Sequence, residues 1–421
     1  MPPTTPLTPV TRPTRPTPGD ITAAAERTIA TLTPLTPSER LSSLYDCEVL
    51  LKREDLQLGR SYKVRGAYNT MSVLTPDELA RGVVAASAGN HAQGLAISCA
   101  RLGVQGHIFV PTNTPRQKRD RIAALGGEHV QLTLVGKTYD EASAAAHAEA
   151  QETGATYVHP FDDPRTIAGQ GSVGVEITHQ VAAADTVIVP IGGGGLIAGV
   201  ATWIKHTWPT TRIVGVEPTG AASMSAALKA GQPVTLDALD TFIDGASVGT
   251  AGTITLPIVK DLVDEIVTVE VGAVCQEMLE LYQTDGIIAE PAGALATAAL
   301  DQVTTDGIVV CIVSGGNNDV SRYADILERA LVHQGLRHYF LVSFPQEPGA
   351  LRGFLDDVLS DGEDIVVFDY IKKSNRETGP ALIGLDLDSA DRLPALLERM
   401  KTSPLDIEPI PYDSPLFTFL H

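Results

Sequence analysis

Thr186-Val187-Ile188-Val189-Pro190-Ile191-Gly192-Gly193-Gly194-Gly195-Leu196 is an almost unbroken apolar run that ends in four glycines. A strand that is apolar on both sides is buried on both faces, as in a parallel sheet covered by helices. The glycines then mark a turn at the strand's carboxyl end, opening toward a helix near Leu196. Without side chains in the way, main-chain N–H groups there can converge on an anion, and a helix start adds the positive end of its dipole. A tightly packed turn would explain the same four residues with no ligand. The spacing is not G-x-G-x-x-G, so this is not the dinucleotide fingerprint.

Outward from this run the same rhythm repeats. Val83 to Ser87, Gly106 to Val110, Thr156 to His159, Arg212 to Glu217, Glu265 to Val269 and Ile308 to Ser314 read as strands, and Ala-rich helical stretches such as His91 to Leu102 and Arg116 to Leu125 lie between them. Strands alternating with helices predict an α/β region of parallel sheets with helices on both faces. Ligands in such sheets sit at the carboxyl ends of strands. Three glycine-rich motifs fall there: Ser87-Ala88-Gly89-Asn90, Gly192 to Gly195, and Ser314-Gly315-Gly316-Asn317. This region is expected over residues 20–331, with a smaller subdomain around 60–155. After Gly335 the order becomes strand, helix, strand, strand, helix, strand, over His338–Phe344, Gly349–Leu359, Asp364–Ile371, Pro380–Asp386, Asp391–Met400 and Leu405–Ile410. That βαββαβ order predicts a ferredoxin-like domain over 336–421. Residues 1–19, mostly Pro and Thr, read as a disordered tail with no signal-peptide core.

The totals narrow the function. The 421 residues are 43% apolar and 19% charged, with a formal net charge of −20. This is the composition of a soluble globular protein, and its sign argues against nucleic acid or an anionic membrane as a partner. Cys47, Cys99, Cys275 and Cys311 are far apart and form no CxxC pair, which predicts reduced thiols in a cytoplasmic protein.

Lys63, in Ser61-Tyr62-Lys63-Val64-Arg65-Gly66-Ala67, is either a solvated surface charge or an amine at a helix start, where a positive field favours the neutral form that a Schiff base needs. Ser87-Ala88-Gly89-Asn90-His91 is either a seat for a substrate carboxylate or a helix cap closed by Asn90.

Taken in order, the Lys63 motif, Ser87 to Gly94, the tetraglycine loop, Glu290-Pro291-Ala292-Gly293 and Ser314-Gly315-Gly316-Asn317 resemble the threonine dehydratase family. That family lies within the tryptophan-synthase-β-like (fold type II) enzymes that use pyridoxal 5'-phosphate. The resemblance covers about residues 20–331, and the segment after Gly335 resembles the single ACT-like regulatory domain of the short biosynthetic form. It implies that Lys63 bonds the cofactor aldehyde and takes the substrate's Cα proton, and that Asn90 meets the 3-hydroxyl oxygen. It further implies that Gly192, Gly193, Gly194, Gly195 and Leu196 hold the phosphate, that Ser314 faces the pyridine nitrogen, and that Ser87, Gly89, Asn90 and His91 surround the substrate carboxylate. Glu290 receives no role. Ala88 stands where the related serine racemases carry a second, acid/base serine, which disfavours racemisation. Ser223 stands where the second carboxylate of their divalent-ion site would be, so no metal is expected.

The resemblance thus implies deamination of L-threonine, with isoleucine as effector, valine as a second candidate effector, and a homotetramer. A serine dehydratase or another β-eliminating relative is the alternative, and a catalytically dead amino-acid sensor is a third reading.

Overall fold

The computed structural model describes residues 15–370, 377–411 and 414. Most of the expected tail (1–14), the end of one expected strand at Ile371, and residues 415–421 of the expected C-terminal domain lie outside the described residues. The last residues of the stretch read as a tail belong to a helix. Thr17 caps the helix Pro18–Arg27, its hydroxyl accepting the Asp20 N–H while the Asp20 carboxylate accepts the Thr17 N–H. Pro18 at the first helical position supports this start, because its missing N–H would have had no partner there.

The described residues divide into two compact units, one drawn from Met1–Val271 and Glu280–Asn318, the other from Gly272–Leu279 and Asp319–His421. In chain order the strands of the first are β1 (Leu35–Pro37), β2 (Glu48–Arg53), β3 (Val83–Ala86), β4 (Gly106–Val110), β5 (Val130–Leu134), β6 (Thr156–Tyr157), β7 (Thr186–Pro190), β8 (Arg212–Pro218), β9 (Glu265–Val269) and β10 (Ile308–Val313). They form a larger sheet of order β1-β2-β10-β7-β8-β9 and a smaller one of order β5-β4-β3-β6. Every neighbouring pair is parallel except β1 with β2. β7 is buried at all five positions, as its composition predicts. Val187 and Val189 pack with Ile197, Val200, Ile213, Val310 and Ile312 in one core cluster.

Topology positions the site. From β7 the chain steps to β8 and β9 on one side, while β10 returns to the other side, so strand order reverses at β7. A crevice opens at such a switch point. The pairing Cys311↔Ile188 sets the ends of β7 and β10 level, so Ser314 emerges beside the start of the glycine turn.

The second unit is an antiparallel sheet of β11 (Arg337–Pro345), β12 (Glu363–Tyr370), β13 (Thr378–Leu387) and β14 (Asp406–Pro409), in order β12-β13-β11-β14. With helices Ala350–Asp357 and Leu393–Thr402 this is the expected βαββαβ arrangement. Its core is its own: Phe340, Val342, Phe344, Phe354, Ile383, Leu385 and Leu396 pack together. No helix among the described residues is long and apolar enough to cross a membrane. No disulfide joins the cysteines, and Cys99, Cys275 and Cys311 are buried.

Candidate active site

Lys63 is the first residue of the helix Lys63–Ser72. Two features fix its position. The segment before it is stitched to the Ser314 loop: Ser61 pairs with Gly315, the Tyr62 N–H donates to Ser314 O at 3.2 Å, and the Gly316 N–H donates to Arg60 O at 2.8 Å. Behind it, the helix Asn90–Leu102 approaches so closely that a Cβ on Gly94 would stand 2.9 Å from the Val64 nitrogen and 3.0 Å from the Lys63 carbonyl carbon. The Lys63 ammonium donates to Pro160 O at 3.2 Å and lies 5.2 Å from the Tyr62 ring centroid. Among the described residues, no ion pair involves it.

Arg65, two positions on, is fully buried. It forms two bonds with the Glu54 carboxylate (2.7 and 2.8 Å) and one with Glu176 (2.7 Å), which also accepts from Lys52. These compensated charges anchor the first turn behind Lys63, because removing one partner of a buried pair leaves a charge with no counter-charge.

The glycine turn answers to both readings of it. Gly194 has φ +91°, and Cβ atoms on Gly193 or Gly195 would run into Phe161, so packing and backbone strain alone require glycines there. Yet the helix Gly195–Thr207 that follows has no side-chain cap. Its first N–H groups are therefore left for a ligand or water. Gly193 O accepts the Thr255 hydroxyl at 2.7 Å, which turns the Gly194 N–H to the opposite side of that peptide plane. Leu196 is buried in the core cluster, so only its main chain can serve a phosphate.

In the smaller sheet, β3 ends at Ala86, and the Ser87 hydroxyl accepts the Gly89 N–H at 3.2 Å. Gly89, not Asn90, is the N-cap of the helix Asn90–Leu102, and it caps without a side chain. The cap alternative for Asn90 therefore fails. Its amide instead donates to Glu290 Oε1 at 2.6 Å and accepts from Asn317 Nδ2 at 2.6 Å. The His91 ring turns inward, Nε2 donating to Val158 O at 2.8 Å. What His91 can offer a carboxylate is its main-chain N–H. Ala88 packs against the core cluster of the smaller sheet. Ser314 Oγ donates to Ala292 O at 3.1 Å.

Electrostatics follow burial. Burial pushes Glu290 up to about 7, with Asp244 adding to the rise and the Asn90 hydrogen bond opposing it. Burial, then the Lys63 charge, lowers His91 to about 3, and His159 is lowered to about 4, chiefly by burial. The Glu217 carboxylate accepts from the Met224 and Ser225 N–H groups and the Ser225 hydroxyl, closing the start of the helix Ser223–Ala230.

One functional segment carries no sequence signal. His159-Pro160-Phe161-Asp162 follows β6. Its members hold the lysine (Pro160 O), pack on the glycine turn (Phe161), and gather the N–H groups of Thr253, Ile254 and Thr255 (Asp162). His159 Nδ1 accepts the Phe161 and Asp162 N–H groups at 3.2 and 2.8 Å and so shapes the turn. Only its place after a strand of the smaller sheet could have marked it.

The donors suit a phosphorylated aldehyde: an amine at a helix start, an uncapped glycine-led helix, and amide and hydroxyl groups at three strand ends of one unit. These features define an α/β enzyme of the pyridoxal phosphate class. The comparisons agree and go further. The pyridoxal-phosphate dependent enzyme family matches residues 27–315, and the C-terminal regulatory domain of threonine dehydratase matches residues 328–420. The chain is 55% identical to L-threonine dehydratase biosynthetic IlvA of Mycobacterium tuberculosis over 95% of both chains. It is 47% identical to the Bacillus subtilis protein of that name over 92% of this chain and 93% of that one. The processed form of threonine deaminase isoform 2 from Solanum lycopersicum superposes with TM-score 0.71 at 40% identity, covering 76% of this chain and 96% of that one. The chain belongs to the threonine dehydratase family of pyridoxal-phosphate dependent enzymes.

Proposed function

We propose that this protein deaminates L-threonine to 2-oxobutanoate and ammonia by α,β-elimination of water, as the first step toward isoleucine, and that its second unit carries isoleucine feedback. The observation that carries this reading is that identity to biosynthetic threonine dehydratases extends across 95% of the chain, regulatory segment included. The cofactor supplies the electron sink that makes a Cα proton removable near neutral pH. Lys63 Nζ would hold its aldehyde and, once freed by the incoming substrate amine, would take that proton. The N–H groups from Gly192 to Leu196 would hold its phosphate, and the neutral Ser314 hydroxyl would meet its ring nitrogen. Main-chain N–H groups from Ala88 to His91, with the Ser87 hydroxyl, would receive the substrate carboxylate. Ala88 offers no acid/base group on the opposite face, which favours elimination over racemisation. The loop Glu347–Leu351, with Gly349 at φ +99° opening the helix Ala350–Asp357, is proposed as part of the effector site. A cytoplasmic homotetramer suits this role.

Two measurements test the assignment. The ratio of kcat/KM for threonine to that for serine, with and without isoleucine, should favour threonine, with inhibition by isoleucine. Serine should retain some turnover, because a single methyl group discriminates by only about 1–3 kcal/mol. Lys63→Ala should abolish both turnover and the yellow colour of the reconstituted protein. Wild-type protein that stays colourless with pyridoxal phosphate would sink the enzyme reading.

A further inference from the structure

Asn90 can help a cofactor oxygen only if its carboxamide presents N–H and not C=O, and an amide left alone can flip. Here a short chain of amides finishes at one end on a main-chain carbonyl, which can only accept, and at the other on the Glu290 carboxyl, which only accepts while it is ionised. Asn317 Nδ2 donates to the main-chain carbonyl of Gly59 at 2.7 Å, and its second hydrogen reaches Asn90 Oδ1 at 2.6 Å. Asn90 Nδ2 therefore points the other way and donates to Glu290 Oε1 at 2.6 Å. Neither amide can turn over alone without setting two donors or two acceptors against each other. One hydrogen on Asn90 Nδ2 remains unassigned.

Glu290 is itself held. It is 5% exposed, its N–H donates to Gly315 O at 3.1 Å, and its carboxylate also accepts the Asn317 main-chain N–H. A Cβ on Gly315 would overlap Oε1, so the glycine of Ser314-Gly315 makes the room in which the carboxylate sits. Lys118 ion-pairs with nearby Asp244 at 2.8 Å, so the cationic partner in this corner is committed elsewhere.

We propose that Glu290 and Asn317 are positioning residues that lock the Asn90 amide in one orientation, with its remaining N–H directed at the cofactor's 3-oxygen. This rests on the reading of Asn90 as that oxygen's partner.

The test titrates pyridoxal phosphate into apo-protein and follows the long-wavelength absorbance and the dissociation constant. The panel is wild type, Asn90→Ala, Glu290→Gln, Glu290→Asp and the double variant Asn90→Ala/Glu290→Gln, each checked for fold by thermal unfolding. Glutamine offers one acceptor to two donors, so Glu290→Gln should weaken binding about tenfold, the loss of one hydrogen bond to a charged group. It should also shift the absorbance in the direction that Asn90→Ala does, while Glu290→Asp restores part of the signal. In the Asn90→Ala background, Glu290→Gln should add nothing further. A folded Glu290→Gln protein with wild-type spectrum and affinity, or an effect that persists undiminished without Asn90, overturns the proposal. An unchanged spectrum in Asn90→Ala alone overturns the underlying reading of Asn90.

Discussion

His91 shows how far one buried side chain can govern a bulk property. Its Nε2 must carry the proton, since Val158 O can only accept, and Nδ1 is buried with no partner. In the folded protein it stays neutral down to about pH 3, whereas in the unfolded chain it protonates near 6.5. Between those values the unfolded state binds the extra proton, so the stability of the apo-protein is intact above about pH 6.5 and declines as pH falls. The slope is about 1.4 kcal/mol per pH unit for one such group. His159, lowered to about 4, acts in the same direction. Glu290, raised to about 7, acts oppositely: below pH 7 the folded state holds the proton that the unfolded state has released. Urea unfolding of apo-protein between pH 5 and 7 should therefore show a net decline on acidification, flattened in His91→Gln. A His91→Gln profile that declines as steeply as the wild type's would contradict the burial of the His91 ring. At this scale the sequence was only partly legible. Lys63, Asn90 and Ser314 stand out by their motifs, but the partner that defines Asn90 lies 200 positions away at Glu290. Arg65 looks like any surface arginine until Glu54 and Glu176 are seen around it.

At the scale of elements, glycine spacing controls how closely helices approach. Gly94 is the contact between the helix Asn90–Leu102 and the lysine's own helix, and the atoms a Cβ would meet are main chain, which cannot swing aside. Gly94→Ala should cost about 1–3 kcal/mol of stability, as overpacking does. It should also weaken cofactor binding more than that loss predicts, because the strain falls on the Lys63 peptide. Comparing the melting temperature of the apo-protein with its pyridoxal phosphate affinity separates the two effects, and a variant with native affinity would show that the approach is not what places the lysine. Elements were legible where one element's own composition decides it. Gly106–Val110, Thr186–Pro190 and Glu265–Val269 are found with the boundaries their β-branched runs predict. β2 is missed because its apolar run is only Val49-Leu50-Leu51, flanked by Glu48 and Lys52, and the Lys52 ammonium is buried among Thr33 O, Glu176 and Gln180. β5, half-exposed at a sheet edge, has a weak apolar signal for the same reason that it is an edge.

At the scale of the whole molecule, each unit carries what its role requires. Lys63, Asn90, the glycine turn, Glu290 and Ser314 all belong to the first unit. The second closes its own sheet and core between Arg337 and Pro409. The tomato structure is matched over 96% of its length by only 76% of this chain, so a fold of this kind does not need the remaining quarter. A chain truncated after Asn318 should therefore bind pyridoxal phosphate and turn over threonine while losing inhibition by isoleucine. One complication follows from the helix Val271–Gln283. Its residues Gly272–Leu279 cluster with the second unit, and Val274, Cys275 and Met278 are buried. The truncated chain keeps this segment but loses the rest of the unit it clusters with, so apolar side chains of the helix are expected to gain access to water. At about 1.5–3 kcal/mol for each large side chain fully exposed, the loss is several kcal/mol. Truncation should thus lower the melting temperature and promote self-association even as the chemistry survives. Isoleucine titrations of kcat/KM, run beside sedimentation of the same sample, distinguish the two consequences. A truncated enzyme still inhibited by isoleucine would place the effector in the catalytic unit, and one that cannot take up pyridoxal phosphate would mean that the second unit contributes to the cofactor site.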